Sequence, residues 1–378
     1  MKTMHLIPMA VPVTIPVTVF AMLATSMLTA CAPQQADQIP VSALESVVYD
    51  TAQAQVHFEQ FAENFPALNV TVMVDNEIVW ESAGGVNTDA GDGVTAAYNF
   101  YSSAKMLTGM AFARLESTKG VDLDRSIRRI DPALPAPYEN ITLRQLLSHT
   151  AGVRHYTSRD DWIAFNDRRC KTPQEALAHF IDDDFIAEPG EKYSYSTYGF
   201  TLLSHLLVKL TDAPNYDAAM QDVLGDAYLA RTDSDTAKKA VTYYAQNEDA
   251  EREALPLSAE CKFGGGGLLA SSRELSAMGA AFANGDIVSA AHIDENLTFG
   301  MDAPDYRYGM GGGYSDELQA HFISHSGGSV GGRSYLLVFI EPNVSVALTS
   351  NFDGPNHGDT AMAIGRIFVQ AQVQAENQ

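Results

Sequence analysis

The chain has 378 residues, 46% of them hydrophobic, with a formal net charge of −23. That length supports a large buried core, and that composition excludes a disordered chain. The acidic excess excludes a phosphate-binding nucleic-acid surface, which needs clustered Lys and Arg, and reads as a solvated acidic face.

Residues 1–30 read as an export signal and not as part of the fold. Lys2 gives a positive start, and Leu6 to Leu28 is almost entirely apolar. Pro8, Pro12 and Pro16 interrupt that run and disfavour a regular spanning helix. Leu28-Thr29-Ala30-Cys31 closes it with small residues at the cleavage position. This end resembles the lipobox of bacterial lipoproteins, where cleavage precedes the Cys and the thiol is acylated. The resemblance implies an exported, membrane-anchored lipoprotein held through Cys31 and facing the periplasm. Residues 31–43 read as a polar tether, which leaves 44–378 as the domain. Export implies an oxidising compartment. Cys170 and Cys261, the two remaining cysteines, either pair or stay as separate buried thiols; the sequence leaves both open.

Along the domain, Leu44 to Asn64 has helical apolar spacing. Val70 to Val74 is a strand run, Asp75-Asn76 a turn pair, and Glu77 to Trp80 a returning strand ended by Gly84-Gly85. Residues 87–97 read as a loop. Ser102 to Lys119 predicts a helix apolar on most sides, hence buried, stopped by Gly120. Ile141 to Ser148, introduced by Thr142, and Phe200 to Leu210 are further helices. Ser334 to Ile340 and Val344 to Leu348 are β-rich runs joined by Glu341-Pro342-Asn343, and Asp359 to Gln372 is a final helix. Strands at both ends with helices between predict an α/β (α+β) fold. Its antiparallel sheet is built from both termini and flanked by helices, with a mainly helical insert.

Three segments carry chemistry. Ser102-Ser103-Ala104-Lys105 places Lys105 one helical turn from the Ser102 hydroxyl. A lysine in a dry pocket shifts toward its neutral form and can accept a proton, while the helix N-terminus favours developing negative charge. Tyr193-Ser194-Tyr195-Ser196-Thr197 brings a tyrosine that can shuttle a proton if a nearby cation stabilises it. His325-Ser326-Gly327-Gly328 precedes the last strands, where a backbone N–H at a strand edge can line an oxyanion site.

Together these segments resemble the penicillin-recognising serine hydrolases: class C β-lactamases, D,D-carboxypeptidases and β-lactamase-like esterases. That superfamily runs Ser-x-x-Lys, then Tyr-x-Asn, then Lys-Thr-Gly or His-x-Gly. Ile141 to Gly152 and the glycine-rich Gly264 to Ser271 also resemble family segments. The resemblance implies that Ser102 is acylated and that Lys105 and Tyr195 share the general-base and general-acid work. It also implies an oxyanion hole formed by the Ser102 and Gly328 N–H groups, and substrate contacts from His325, Ser326, Gly327 and Thr197. No metal or organic cofactor is implied, and His149 and His155 lie outside any His-Glu-x-x-His pattern. Two departures matter. Thr197 stands where Asn is usual, and Tyr195-Ser196-Thr197 followed by Tyr198-Gly199-Phe200 is similar to the mitochondrial serine β-lactamase-like proteins. His325 replaces the lysine that draws an antibiotic carboxylate, and a neutral imidazole attracts it less. The expectation is therefore hydrolysis of a peptide, D-peptide or ester, with β-lactamase activity and non-catalytic binding of the cell envelope as alternatives. Partners are a small-molecule or peptide substrate and the membrane; oligomeric state is left open. Gly327-Gly328-Ser329-Val330-Gly331 mimics a nucleophile elbow, but a β-rich run follows where that elbow requires a helix.

Overall fold

A computed structural model describes residues 47–86, 93–232, 242–246, 251–253, 259–296 and 309–377. The expected signal segment 1–30, the tether 31–43 and the acylated Cys31 lie outside the described residues.

Helix α1 (Thr51–Ala62) starts later than its apolar spacing suggests, because the Asp50 carboxylate accepts the Gln53 N–H and caps it there. Strands β1 (Leu68–Val74) and β2 (Glu77–Gly84) form the expected hairpin. Asp75 and Asn76 carry φ of 49° and 66°, the left-handed pair a two-residue hairpin turn demands. After the short strand β3 (Tyr98–Asn99) comes α2 (Ala104–Lys119), closed by Gly120 at φ 64°. The middle of the chain is mostly helical: α3 (Leu143–Leu147), α4 (Arg159–Asn166), α5 (Pro173–Leu177), α6 (Thr197–Thr211) and α7 (Tyr216–Leu224). Thr142 caps α3 in a reciprocal box with Gln145. The small pair β4 (Tyr244–Gln246) and β5 (Glu251–Glu253) is followed by β6 (Leu269–Ala270), which pairs with β3. Helices α8 (Ser272–Ala283) and α9 (Ala290–Asn296) lead to β7 (Gly311–Ser315), β8 (Ala320–Ser329), β9 (Gly332–Phe339) and β10 (Val344–Ser350). Helix α10 (Gly358–Glu376) ends the fold.

The main sheet has the order β2-β1-β10-β9-β8-β7, antiparallel throughout, so the first hairpin pairs with the last strand as expected. Its central strands read as unbroken apolar runs because both faces are covered. Leu337 and Phe339 of β9 pack with α1 and α10, while Leu336 and Val338 pack with the helical side. A glycine on each side allows this approach. A Cβ on Gly365 of α10 would lie 2.8 Å from the Phe339 ring, and one on Gly279 of α8 would lie 2.5 Å from Ser345 Oγ. Helix α2 runs through the helical side with eleven buried residues from Ala104 to Leu115.

Two sequence expectations need correction. Helix α2 begins at Ala104 and not at Ser102, because Tyr101–Ser103 forms a separate 3-10 turn. The Ser103 hydroxyl that could have capped the helix donates instead to the His325 carbonyl of β8, at 2.9 Å. The His325 to Gly328 segment is itself strand β8, paired with β9 in the register His325↔Leu336 to Ser329↔Gly332. Its Gly, Ser and His content hid the strand signal. Ser329 thus ends one strand and is followed by another, which removes the elbow geometry.

Candidate active site

The turn that carries Ser102 is bound from several sides. Phe100 N–H donates to the Leu268 carbonyl, and Tyr101 N–H to Asn99 Oδ1. The Ser334 hydroxyl of β9 lies within hydrogen-bond distance of both the Phe100 carbonyl and Ser103 Oγ, with one hydrogen to share between them. Tyr101 sits at φ 47°, an unfavourable conformation for a residue with a side chain, held beside Ser102. Gly327 explains itself here. Its Cβ would fall 2.0 Å from the Phe100 carbonyl oxygen, so β8 can touch this turn only through glycine.

Lys105 lies behind Ser102 and is fully buried. Its Nζ is 3.3 Å from Ser102 Oγ and 3.3 Å from Thr197 Oγ1, and it donates a short bond to the Gly265 carbonyl. Burial first, and the charge of Lys262 second, push the Lys105 amine well below its usual range. A neutral amine has two hydrogens and one lone pair. Gly265 can only accept and Thr197 can accept, so a neutral Lys105 can offer its lone pair to the Ser102 hydroxyl 3.3 Å away. The glycine-rich run makes this possible: a Cβ on Gly265 would press to 2.9 Å from the Thr197 carbonyl, and one on Gly264 to 2.1 Å from Thr108 Oγ1.

Tyr195 stands over the same amine, its ring centroid 4.9 Å from Lys105 Nζ. Three imidazoles surround it, with ring separations of 4.5 Å to His149, 5.4 Å to His155 and 6.4 Å to His325. Two of them place the segment. His149 Nδ1 accepts the Ser196 N–H at 3.1 Å, and His155 Nδ1 accepts the Thr197 N–H at 3.2 Å. Only neutral rings can do so. Burial is the main cause that depresses both, His155 to about 4 and His149 well below the usual imidazole range. His325 is depressed to about 4 by the same cause, and its Nδ1–H donates to the Ser326 carbonyl.

The loop bearing His155 is tied down by Asp161. Its carboxylate accepts from Arg154, His179, Tyr198 and Thr157 at 2.7–3.3 Å, with Arg154 Nη1 at 2.7 Å and His179 Nε2 at 2.8 Å. Burial opposes its ionisation, yet the bonds from Thr157, His179 and Tyr198 and the Arg154 charge hold it far below the carboxylate range.

Two cavities meet at Ser102, and both are also lined by Tyr195 and Gly328. The larger, 840 Å³, runs along β8 past His325, Ser326 and Arg333. The smaller, 220 Å³, runs into the helical side past Thr197, His155, Trp162 and Lys262. The structure thus brings together Ser102, Lys105, Tyr195, Thr197, His325, Ser326 and Gly328. Gly327 lines neither cavity and serves the packing beneath the turn. Cys170 and Cys261, left open by the sequence, form a disulfide with a Cα separation of 5.0 Å, next to Lys262. Sequence reasoning missed Lys262, His155 and Trp162. The one available signal was a lysine set between Cys261 and a glycine run, away from any charged surface stretch.

The comparisons with known proteins agree with the fold. The human mitochondrial serine beta-lactamase-like protein LACTB is 24% identical, over 73% of this chain and 69% of its own. A D-stereospecific amidohydrolase from a Streptomyces species superposes with a TM-score of 0.68 at 20% identity, covering 82% of this chain and 97% of that one. The octameric penicillin-binding protein homologue from Pyrococcus abyssi gives 0.68 at 22% identity, covering 86% and 77%. The Beta-lactamase family profile matches residues 54–371, most of the chain, which therefore belongs to the Beta-lactamase family.

Proposed function

We propose that the protein is a serine hydrolase that cleaves an amide or ester through an acyl-enzyme on Ser102. The observation that carries this reading is Lys105: a buried amine, depressed by burial, with its Nζ 3.3 Å from the Ser102 hydroxyl oxygen. In the proposed cycle Lys105 takes the Ser102 proton as Oγ attacks the substrate carbonyl. The Ser102 and Gly328 N–H groups receive the oxyanion, since both residues line the point where the cavities meet. Lys105 and Tyr195 return the proton to the leaving group, and water then releases the acyl chain. His325 stays neutral and draws a substrate carboxylate weakly, which favours peptide, D-peptide or ester substrates over β-lactams. The structural likeness to a D-stereospecific amidohydrolase from a Streptomyces species supports the same class.

The proposal includes export and a lipid anchor at Cys31. The Cys170–Cys261 disulfide supports it, because such bonds persist in oxidising compartments. A panel of p-nitrophenyl esters, D-amino-acid amides and nitrocefin tests the activity. Turnover of an ester or amide with slower nitrocefin hydrolysis is expected. Fast nitrocefin hydrolysis alone would make the protein a β-lactamase, and no turnover with measurable peptidoglycan binding would make it a binding protein.

A further inference from the structure

The smaller cavity beside Ser102 holds a cation that the proposed cycle does not use. Lys262 is 6% exposed and lines this cavity together with Ser102, Tyr195 and Thr197. No carboxylate is among the described residues that line it. Among the described residues, Lys262 forms no ion pair, and its only hydrogen bonds run through its backbone, from Thr201 Oγ1 to its carbonyl and from its N–H to Ala259. Burying a charge without a partner is costly, so such groups are normally paired or absent.

The fold nevertheless holds this one firmly. Cys261 is disulfide-bonded to Cys170, and Phe263 is held at φ 44°. Gly266 leaves room for the lysine stem, since a Cβ there would lie 3.2 Å from Lys262 Cδ. A purely structural lysine would reach a carboxylate or a carbonyl. A second base would have to touch Ser102, and that place is taken by Lys105 at 3.3 Å. An ammonium fixed at the wall of a cavity that opens on the nucleophile fits a third role.

We propose that Lys262 is the substrate's anion anchor: it binds a carboxylate, or a comparable small anion, carried by the amide or ester whose carbonyl meets Ser102. This rests on the acyl-enzyme reading above and adds a substrate class to it, namely substrates with an acidic group close to the scissile bond. Burial lowers the Lys262 ammonium only to about 8, so it stays charged at neutral pH. The other titratable groups on this cavity are Tyr101, His155, Tyr156 and Tyr195, with Lys105 behind Thr197. His155 is neutral above about 4, and burial pushes Tyr101 and Tyr156 upward.

Two ester pairs test the anchor on the full domain. Mono-p-nitrophenyl glutarate against p-nitrophenyl valerate puts the carboxylate on the acyl half. The acetate ester of p-hydroxybenzoate against that of its methyl ester puts it on the leaving half. The readout is the ratio of kcat/KM for the charged and neutral members, which cancels the titration of Lys105 and Tyr195. The expected result is a preference for the charged member of one pair, and the pair that shows it assigns the half that enters the cavity. Lys262→Met should reduce that preference about tenfold or more, the scale of a hydrogen bond to a charged group, and Lys262→Arg should keep part of it. In the wild type the preference should also fade as pH rises through about 8, a readout that needs no variant to fold. No preference in either pair, or equal losses on charged and neutral esters in Lys262→Met with a pH-independent ratio, would overturn the anchor while leaving the hydrolase intact. No turnover of any ester, with no fluorophosphonate label on Ser102, would remove the hydrolase reading and the anchor with it.

Discussion

The two walls that enclose Ser102 are built on different principles. On one side β8 contributes chiefly backbone, placed residue by residue through its register with β9. Its Ser326 side chain is exposed, and Gly327 and Gly328 have none. On the other side the helical region contributes side chains taken out of water: Lys105 at 0%, Lys262 at 6%, and Thr197 and His149 at 3% exposure. Burial is what makes those groups reactive, because it disfavours the charged forms of Lys105, His149 and His155. One wall therefore supplies geometry set by its backbone, with Gly327 fixed by its close approach to Phe100, and the other supplies buried side chains.

Substitutions should separate the walls. The largest effect is expected from Lys105→Ala, which removes the base and leaves the turn unaltered. Acylation should slow by about 10²–10⁴-fold, measured by stopped-flow with an activated ester. A loss under about tenfold would mean that another group takes the Ser102 proton. Next comes the disulfide that fastens the helical wall across a separation of 91 residues. The double variant Cys170→Ser/Cys261→Ser should lose about 2–5 kcal/mol in urea denaturation, with activity falling in parallel. An unchanged midpoint would show that packing alone holds Lys262 in place.

Acid should act on the same wall. His155 titrates near 4 in the fold and near 6.5 when unfolded, so between those values the unfolded chain binds more protons. Stability should therefore be complete above about pH 6.5 and decline as pH falls toward about 4. Urea midpoints across that range check this, and His155→Gln should flatten the decline. A midpoint independent of pH there would contradict the neutral-acceptor role. The smallest effect is expected from Ser326→Ala on the sheet wall, where kcat/KM should change by no more than about tenfold, the net worth of one neutral hydrogen bond. A larger loss would show that this wall, too, works through its side chains.

Much of this was legible in the sequence, and for identifiable reasons. The hairpin from Leu68 to Gly84 and the strands after Gly332 follow from alternating or continuous β-rich runs with clear turn residues. The trio Ser102, Lys105 and Tyr195 is legible because each sits in a local pattern, and the fold brings the three together. Strands β7 and β8 were hidden by glycine and serine, whose place in the sheet depends on neighbours far along the chain. Lys262 and His155 were hidden for a related reason. Their place at the site comes from burial and from the cavity they share, and neither is a property of neighbouring residues. The disulfide likewise joins two loops whose proximity exists only in the fold.

The central claim is that Ser102 is the group that becomes acylated. The most direct measurement is peptide-level mass spectrometry after treatment with a fluorophosphonate or an activated ester, on the wild type and on folded Ser102→Ala. A single adduct on the peptide containing Ser102, absent from the variant, is the predicted result. An adduct on Ser329 or elsewhere, or a Ser102→Ala protein that still labels and turns over substrate, would contradict it.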